Sequence, residues 1–327
     1  MKNYVAIFVV FLCAMFLAGT LSRSQADIAI IACWLAYLCL TWNIVGGFAG
    51  QLSMAHPVYV AIGGYTSTLL YLKLGISPWF GMFAGGALAS VVAAVLAWIN
   101  FRRRLPMLTY ALITLAITFI AVVLLNATHA LGGHDGLLIP RGNDPSTFRF
   151  HDRTSYLYII VAAVAMLLLL ANYIIRSMFG ARLIALRDNQ DAARMLGIDV
   201  LKTAVSSSAI SAFLGAIGGT FYAQYVSVID PSAVGIELAV QIVLLTAVGG
   251  LGTVWGPFLG AIVLVPIERS LDRAFVDLAG VGHLTYGTII LLILVMLRNG
   301  VVPWVLQGVR RKKMQRQASI DRVGQPQ

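Results

Sequence analysis

The densest cluster of groups able to pair, cap or dock lies in residues 180–199, which read GARLIALRDNQDAARMLGID. Arg187 and Asp191 stand four residues apart, and Asp191 and Arg194 three apart, so both pairs can meet on one helix. Asp188 is placed to cap a second short helix, Gly197 to end it in a left-handed turn, and Asp199 to cap the helix that follows. Gly180 lets the chain turn off the preceding helix. Leu183, Leu186 and Leu196, with Ala192 and Ala193, supply apolar points at near-helical spacing. The chemistry this permits is docking rather than bond making. Ala192 and Ala193 make a shallow face that a grooved partner could approach closely, and a plain surface helix lying on lipid headgroups is the equal alternative.

Elsewhere the chain has little with which to catalyse. The Lys202-Thr203 pair follows Leu201 where a phosphate-cradling loop requires glycine, so ATP must be hydrolysed by another chain if at all. There is no HExxH motif, no paired-carboxylate constellation and no metal site. Cys13, Cys33 and Cys39 lie in apolar segments without ligand spacing, as buried packing thiols do. His56, Glu237 and His283 stand near segment ends, where an interfacial role outweighs a proton relay. Ionisable groups are expensive in hydrocarbon unless used. Their scarcity inside the apolar segments weakens the runner-up function, a proton-coupled secondary transporter of small polar solutes.

The elements that must hold the polar cluster are helices in lipid. The 327 residues are 59% hydrophobic and 11% charged, with a mean hydropathy of +0.86. Apolar stretches near the roughly 20 residues needed to cross a bilayer recur along the chain. The expected fold is an all-α, polytopic membrane bundle with spans at 4–21, 28–45, 57–73, 79–100, 107–126, 155–175, 201–222, 237–250, 252–267 and 283–298. The eighth and ninth are short and run through TAVGGLGTVWGPFLG, which reads as broken helices or one re-entrant pair. The first is a retained helix, its apolar run being too long for a signal and lacking a clear cleavage site. Residues 1–303 form one membrane domain, with polar loops at 176–200 and 127–154, and 304–327 form a basic tail.

The net charge of +10 is a matter of topology rather than nucleic acid, because the basic residues sit at segment ends and in the tail without aromatic interleaving. With both termini inside, 16 of the 23 Lys and Arg face the cytoplasm, as short cytoplasmic loops favour. The loop 176–200 is then cytoplasmic and 127–154 external. Arg310, Arg311, Lys312, Lys313 and Arg316 read as an anchor to anionic membrane lipid.

Thirty-one glycines punctuate the chain. Gly46, Gly47 and Gly50, and then Gly249, Gly250, Gly252, Gly256 and Gly260, flank the two interrupted regions. One role is close helix packing. The other is unwound backbone lining a pathway, with Gln51, Ser53, His56 and Thr253 as its polar groups. The external GGHDG, holding Gly133, His134, Asp135 and Gly136, is first a turn.

DAARMLG resembles the cytoplasmic EAA signature of ABC importer permeases, and the wider GARLIALRDNQDAARMLGIDV is similar to its form in the branched-chain amino acid permeases. GGFAGQLSMAHPVYVAIGGYTS, NATHALGGHDGLLIP and AVGGLGTVWGPFLGA resemble three further segments of that family, in the same order, so the likeness runs from about residue 40 to 300. The long external loop resembles that of the M-type subunit. Asp191 replaces the signature Glu, VSSSAISAF stands where the general signature has an Ile-x-Leu-Pro ending, and His134 occupies a variable position. The resemblance implies the permease subunit of an ATP-driven importer of branched-chain amino acids or a related small amphiphile in the bacterial inner membrane. It implies pairing with an H-type permease, two cytoplasmic ATPase subunits that carry ATP and Mg, and a periplasmic substrate-binding protein. On this likeness Arg187, Asp191, Ala192, Ala193 and Gly197 couple to the ATPases, and the GGHDG turn faces the binding protein.

Overall fold

The computed structural model describes residues 21–140, 142–275 and 281–297, with isolated positions nearer the N-terminus and at 300–301. The expected span 4–21 falls mostly outside the described residues, as do Arg141, the tail 304–327 and the side chain of His283. Eleven helices are followed here: α1 (Arg23–Asn43), α2 (His56–Leu74), α3 (Pro78–Arg103), α4 (Met107–Ala127), α5 (Arg153–Arg176), α6 (Met178–Asp188), α7 (Gln190–Met195), α8 (Val200–Val226), α9 (Ile236–Gly249), α10 (Gly256–Ala274) and α11 (Val281–Met296). Six stretches among the described residues are long and apolar enough to cross a membrane: Arg23–Phe48, Pro78–Arg103, Met107–Ala127, Arg153–Arg176, Val200–Val226 and Ser232–Gly249. The chain is thus a polytopic helical membrane protein.

Local chemistry sets the helix ends. Ser22 and Gln25 form a capping box at the start of α1, satisfying two backbone donors that the first turn leaves open. Ser77 caps α3 and Pro78 follows it, where proline costs no hydrogen bond. Gly75 closes α2 in the left-handed conformation, at φ 66°. Asp199 caps α8 as expected, accepting from the Lys202 backbone N–H at 3.0 Å.

The helices occupy distinct depths in the bundle. The most apolar window of α1 is 78% buried, against 28% for α3 and 22% for α4. So α1 is the central column, while α3 and α4 turn broad apolar faces outward, as a lipid-facing helix does. Helices α2, α3 and α8 pack almost backbone to backbone. A Cβ at Gly63 would fall on the Ala216 carbonyl, one at Gly219 on the Val60 carbonyl, and one at Gly85 would lie 2.9 Å from the Gly63 Cα. Small residues permit this approach, and the gain is in dispersion contacts. Cys33 and Cys39 are buried free thiols in the core, as expected.

Both interrupted regions are chain reversals, called hairpins below. After α1 the chain widens into a π-turn over Ile44–Phe48, reverses at Gly50 (φ 69°) and runs unwound into α2. Helices α9 and α10 meet through Gly249, Gly256 and Gly260: a Cβ at Gly249 would fall on the Gly256 carbonyl, and one at Gly260 on the Leu245 carbonyl. The expected spans 237–250 and 252–267 thus fall on two helices, α9 and α10, joined by residues 250–255.

One end of the bundle is closed by residues 128–140 and 142–152 and by a two-residue antiparallel strand pairing. Leu137 and Leu138 lie antiparallel to Ile229 and Val228. Asp27 near the start of α1 pairs there with Arg153 at the start of α5 and accepts from the Tyr225 hydroxyl at 2.7 Å. The opposite end carries α6, α7, the end of α3 and both glycine turns, and is called the insert face below.

Candidate functional site

The insert begins where Ser177, not Gly180, breaks the chain. Ser177 is extended (φ −84°, ψ 165°) and caps α6 by accepting from the Gly180 backbone N–H. Gly180 is needed for another reason: a Cβ there would fall on the Ile174 carbonyl. Asn189, rather than Asp188, caps α7, accepting from the backbone N–H groups of Asp191 and Ala192 at 2.9 and 3.0 Å. Gly197 has the expected left-handed conformation, at φ 78°. The Ile198 N–H reaches back to the Ala193 carbonyl at 3.0 Å, satisfying an end carbonyl of the short helix.

The two alanines do not share a free face. Ala193 is buried with Leu183, Leu186, Phe48, Phe101, Ile174 and Ala204 in a satellite core that seats the insert on the bundle, whereas Ala192 is exposed. Of the apolar points at near-helical spacing, Leu196 is 79% exposed, beside Met195 at 88%. The underside of the insert is thus internal packing, and its open tip is apolar. Asp191 pairs with Arg194 at 2.7 Å, as expected.

Arg187 leaves Asp191 alone. Its Nε lies 3.2 Å from an Asp188 oxygen, and its Nη1 donates to the Gly47 carbonyl at 3.3 Å. The glycines around it make room. A Cβ at Gly50 would lie 2.6 Å from Arg187 Cγ, and one at Gly252 2.6 Å from Arg187 Nη1. Gly50 and Gly252 also have positive φ, 69° and 70°, so side chains are disfavoured there twice over. Asn43 ties the second hairpin to the first, accepting from the Gly252 N–H at 3.0 Å and donating to the Thr253 carbonyl at 2.9 Å. Thr253 in turn donates to the Gly250 carbonyl at 2.8 Å and accepts from the Gly256 N–H at 2.9 Å. The insert and both interrupted hairpins converge on Arg187 and Asn43.

Side chains of this chain support part of the unwound backbone between Gly50 and α2. Trp42 Nε1 donates to the Ser53 carbonyl at 2.7 Å. On α4, the Thr114 hydroxyl accepts from the Met54 N–H at 2.9 Å and the Thr118 hydroxyl donates to the Met54 carbonyl at 2.8 Å. Lipid could supply none of these partners. Gln51 faces Ser207 and Ser208 of α8, each at 3.4 Å. His56 is buried inside the bundle rather than at an interface, with Nε2 2.8 Å from the Thr41 hydroxyl. The same hydroxyl lies 2.8 Å from the Leu38 carbonyl, so it links His56 to the backbone of α1.

Asn43, Thr41, Thr114, Thr118 and the serines at 207, 208 and 211 were not among the expected site residues. Their signal is a polar group inside an otherwise apolar run, such as the Asn of TWNIVGG or the repeated serines of VSSSAIS.

At the opposite end, the 132–136 segment is a turn as expected. Gly132, Gly133 and Gly136 all have positive φ, and a Cβ at Gly136 would fall on the Ile229 carbonyl. His134 and Asp135 are exposed, and His134 Nδ1 lies 3.3 Å from Asn126 Oδ1. Asp144 closes the nearby turn. The Ser146 hydroxyl and backbone N–H donate to it at 2.7 and 3.1 Å, and the hydroxyl contact leads in holding its carboxyl below the ordinary range.

Among known proteins, residues 24–297 match the family described as branched-chain amino acid transport system / permease component. The chain is 26% identical to the high-affinity branched-chain amino acid transport system permease protein LivM of Escherichia coli (strain K12), over 89% of this chain and 73% of that protein. It is also 26% identical to the probable branched-chain amino acid transport permease protein LivH of Methanocaldococcus jannaschii, over 81% and 85%. Similarity extends to the fructose import permease protein FruF of Bifidobacterium longum, at 25% identity over 72% and 74%. No solved structure matches. With six membrane-capable helices, the chain is a multi-pass inner-membrane permease, the transmembrane component of an ABC importer rather than its ATPase. It belongs to the branched-chain amino acid transport system permease component family.

Proposed function

We propose that this chain is the M-type half of an ATP-driven importer for branched-chain amino acids or a related small amphiphile, with the insert as the point where its motor acts. It pairs with an H-type permease. Two cytoplasmic ATPase subunits bind ATP and Mg, and a periplasmic protein delivers the cargo to the opposite face near the 132–136 turn. The insert face is cytoplasmic, consistent with its share of Lys and Arg.

The observation that carries this reading is the construction of the insert. Its underside is seated on the bundle by Leu183, Leu186 and Ala193, its tip exposes Met195 and Leu196, and Arg187 reaches from it to the Gly47 carbonyl beside Gly252. A force applied at the tip is therefore delivered to the turns of both interrupted hairpins. Displacing those turns changes how the unwound segment around Gln51, Ser53 and His56 is held, which is the step that would open a path. Coupling by Arg187 is internal to the chain, and the surfaces left for the ATPase are Asp191, Ala192, Met195 and Leu196.

Uptake into cells whose ATP is maintained while the proton gradient is collapsed tests the energy source. Continued uptake is expected, and immediate arrest with ATP verified would favour a proton-coupled carrier.

A further inference from the structure

The insert face holds a cavity used by neither the glycine junction nor the apolar tip. It is a recess of about 450 Å³ between the end of α3 and the insert, lined by Phe101, Arg102, Arg104, Arg194, Asp199 and Leu201, among others. A second recess of about 540 Å³ is lined by Trp98, Ile99, Arg102 and Arg103. Arg102 belongs to both.

The charges around the first recess are not equally available. Arg194 is held by Asp191 at 2.7 Å, and Asp199 is committed to Lys202 and the first turn of α8. Arg102 and Arg104 are exposed and make no ion pair among the described residues. Arg104 also closes α3 at φ 51°, a left-handed position where glycine is the usual residue. An arginine is kept there against a backbone preference.

The outer surface of α3 leads into these guanidinium groups. Leu88, Val91, Val95, Trp98 and Ile99 are all exposed, and their spacing puts them on one helical face with Arg102. An apolar stripe that ends in unpaired arginines, with a tryptophan at the changeover, has the polarity of a phospholipid. The acyl chains would follow the stripe, and the phosphate would receive a charge-assisted fork from Arg102 and a second contact from Arg104. An acidic side chain of a docking protein has the charge but makes no use of the stripe, so the lipid fits both parts of the site.

We propose that the paired recesses bind an anionic phospholipid. Because Arg194, Gly197 and Asp199 form the far wall, the headgroup braces the insert against α3.

Trp98 is a built-in reporter. Full-length protein is titrated with phosphatidylglycerol or phosphatidylcholine carrying brominated acyl chains, and the Trp98 signal is taken as the difference from Trp98→Phe. Quenching should favour phosphatidylglycerol about tenfold, falling to about twofold in Arg102→Gln/Arg104→Gln. Arg102→Lys/Arg104→Lys should keep most of the preference and guards against a folding artefact, and Lys73→Gln at the other end of the bundle should leave it unchanged. Inorganic phosphate is the competing arm. If it removes the preference at concentrations equal to the lipid's, the recess is a site for free phosphate and the lipid assignment fails. Equal quenching by both lipids in the native protein overturns the proposal. So does a preference that survives the double glutamine substitution, the result expected if these arginines meet an acidic surface of the ATPase instead.

Discussion

Arg187 concentrates the coupling argument at the scale of one side chain. Its contact with the Gly47 carbonyl is 3.3 Å long and part-buried, which places it at the lower end of the about 1.5–3 kcal/mol typical of hydrogen bonds to charged groups. Arg187→Gln should therefore leave the chain inserted, folded and bound to the ATPases, while uptake falls by about tenfold or more. Gly252→Ala should give the same phenotype by another route. Its Cβ would lie 2.6 Å from Arg187 Nη1, and the left-handed backbone adds strain of about 1–2 kcal/mol. Both variants can be scored by copurification and vesicle uptake. If either retains full transport, Arg187 does not carry motion to the hairpins. The sequence made Arg187 conspicuous but pointed to the wrong partner, because spacing rules see only neighbours on one helix and Gly47 lies 140 residues away. Ala192 and Ala193 were likewise legible as small residues. Which of them faces inward depends on Phe48 and Phe101, which no local pattern names.

Among the elements, the long helices were the most legible, since hydrocarbon leaves the backbone few alternatives. The caps at Asp199 and Gly197 were legible for a similar reason, each depending on one residue's local chemistry. Asp199 allows a pH test. Its carboxyl is held below the ordinary range, first by the Lys202 backbone N–H. A depressed folded value means that the cap's contribution is present above the unfolded value of about 4 and is lost as pH falls through the folded one. Amide exchange over 200–203, taken relative to the intrinsic rate at each pH and compared with Asp199→Asn, should accelerate selectively in the native protein below about pH 4. Equal acceleration in the asparagine variant would remove the cap from the account. What stayed hidden was helix proximity. Glycine counts suggested packing or pathway without choosing, and the structure assigns Gly63, Gly85 and Gly219 to the contacts of α2, α3 and α8. Gly63→Leu should therefore prevent stable assembly of that trio, seen as loss of monodisperse protein on extraction, whereas Gly287→Leu, at a position with open space, should be tolerated. The unwound 49–55 segment was visible as a break, but its support by Thr114 and Thr118 depends on α4 lying alongside it.

At the scale of the whole molecule, the two ends have different jobs. One end is tied by Asp27, Arg153 and Tyr225 and capped by residues 128–140 and 142–152. The other carries the insert. After replacement of the native cysteines, single cysteines at positions 144 and 187 should label from opposite sides, with position 144 reacting with an impermeant reagent in intact cells. Reaction of position 187 under those conditions would reverse the orientation. The family and the membrane class were legible from short motifs and composition, while the convergence of both hairpins on the insert was not, because it joins residues at 43, 47, 187 and 252. The central claim is that force enters through the exposed tip of that insert. Met195 and Leu196 are 88% and 79% exposed, so Met195→Asp/Leu196→Asp should leave the fold intact. Ala193→Trp, by contrast, would disrupt the buried underside and report packing instead of docking. The decisive measurement is ATPase copurification together with ATP-driven uptake in this double aspartate variant. The account predicts normal membrane insertion and thermal stability with both docking and uptake lost. Full ATPase binding and full uptake in a correctly folded double variant would contradict it.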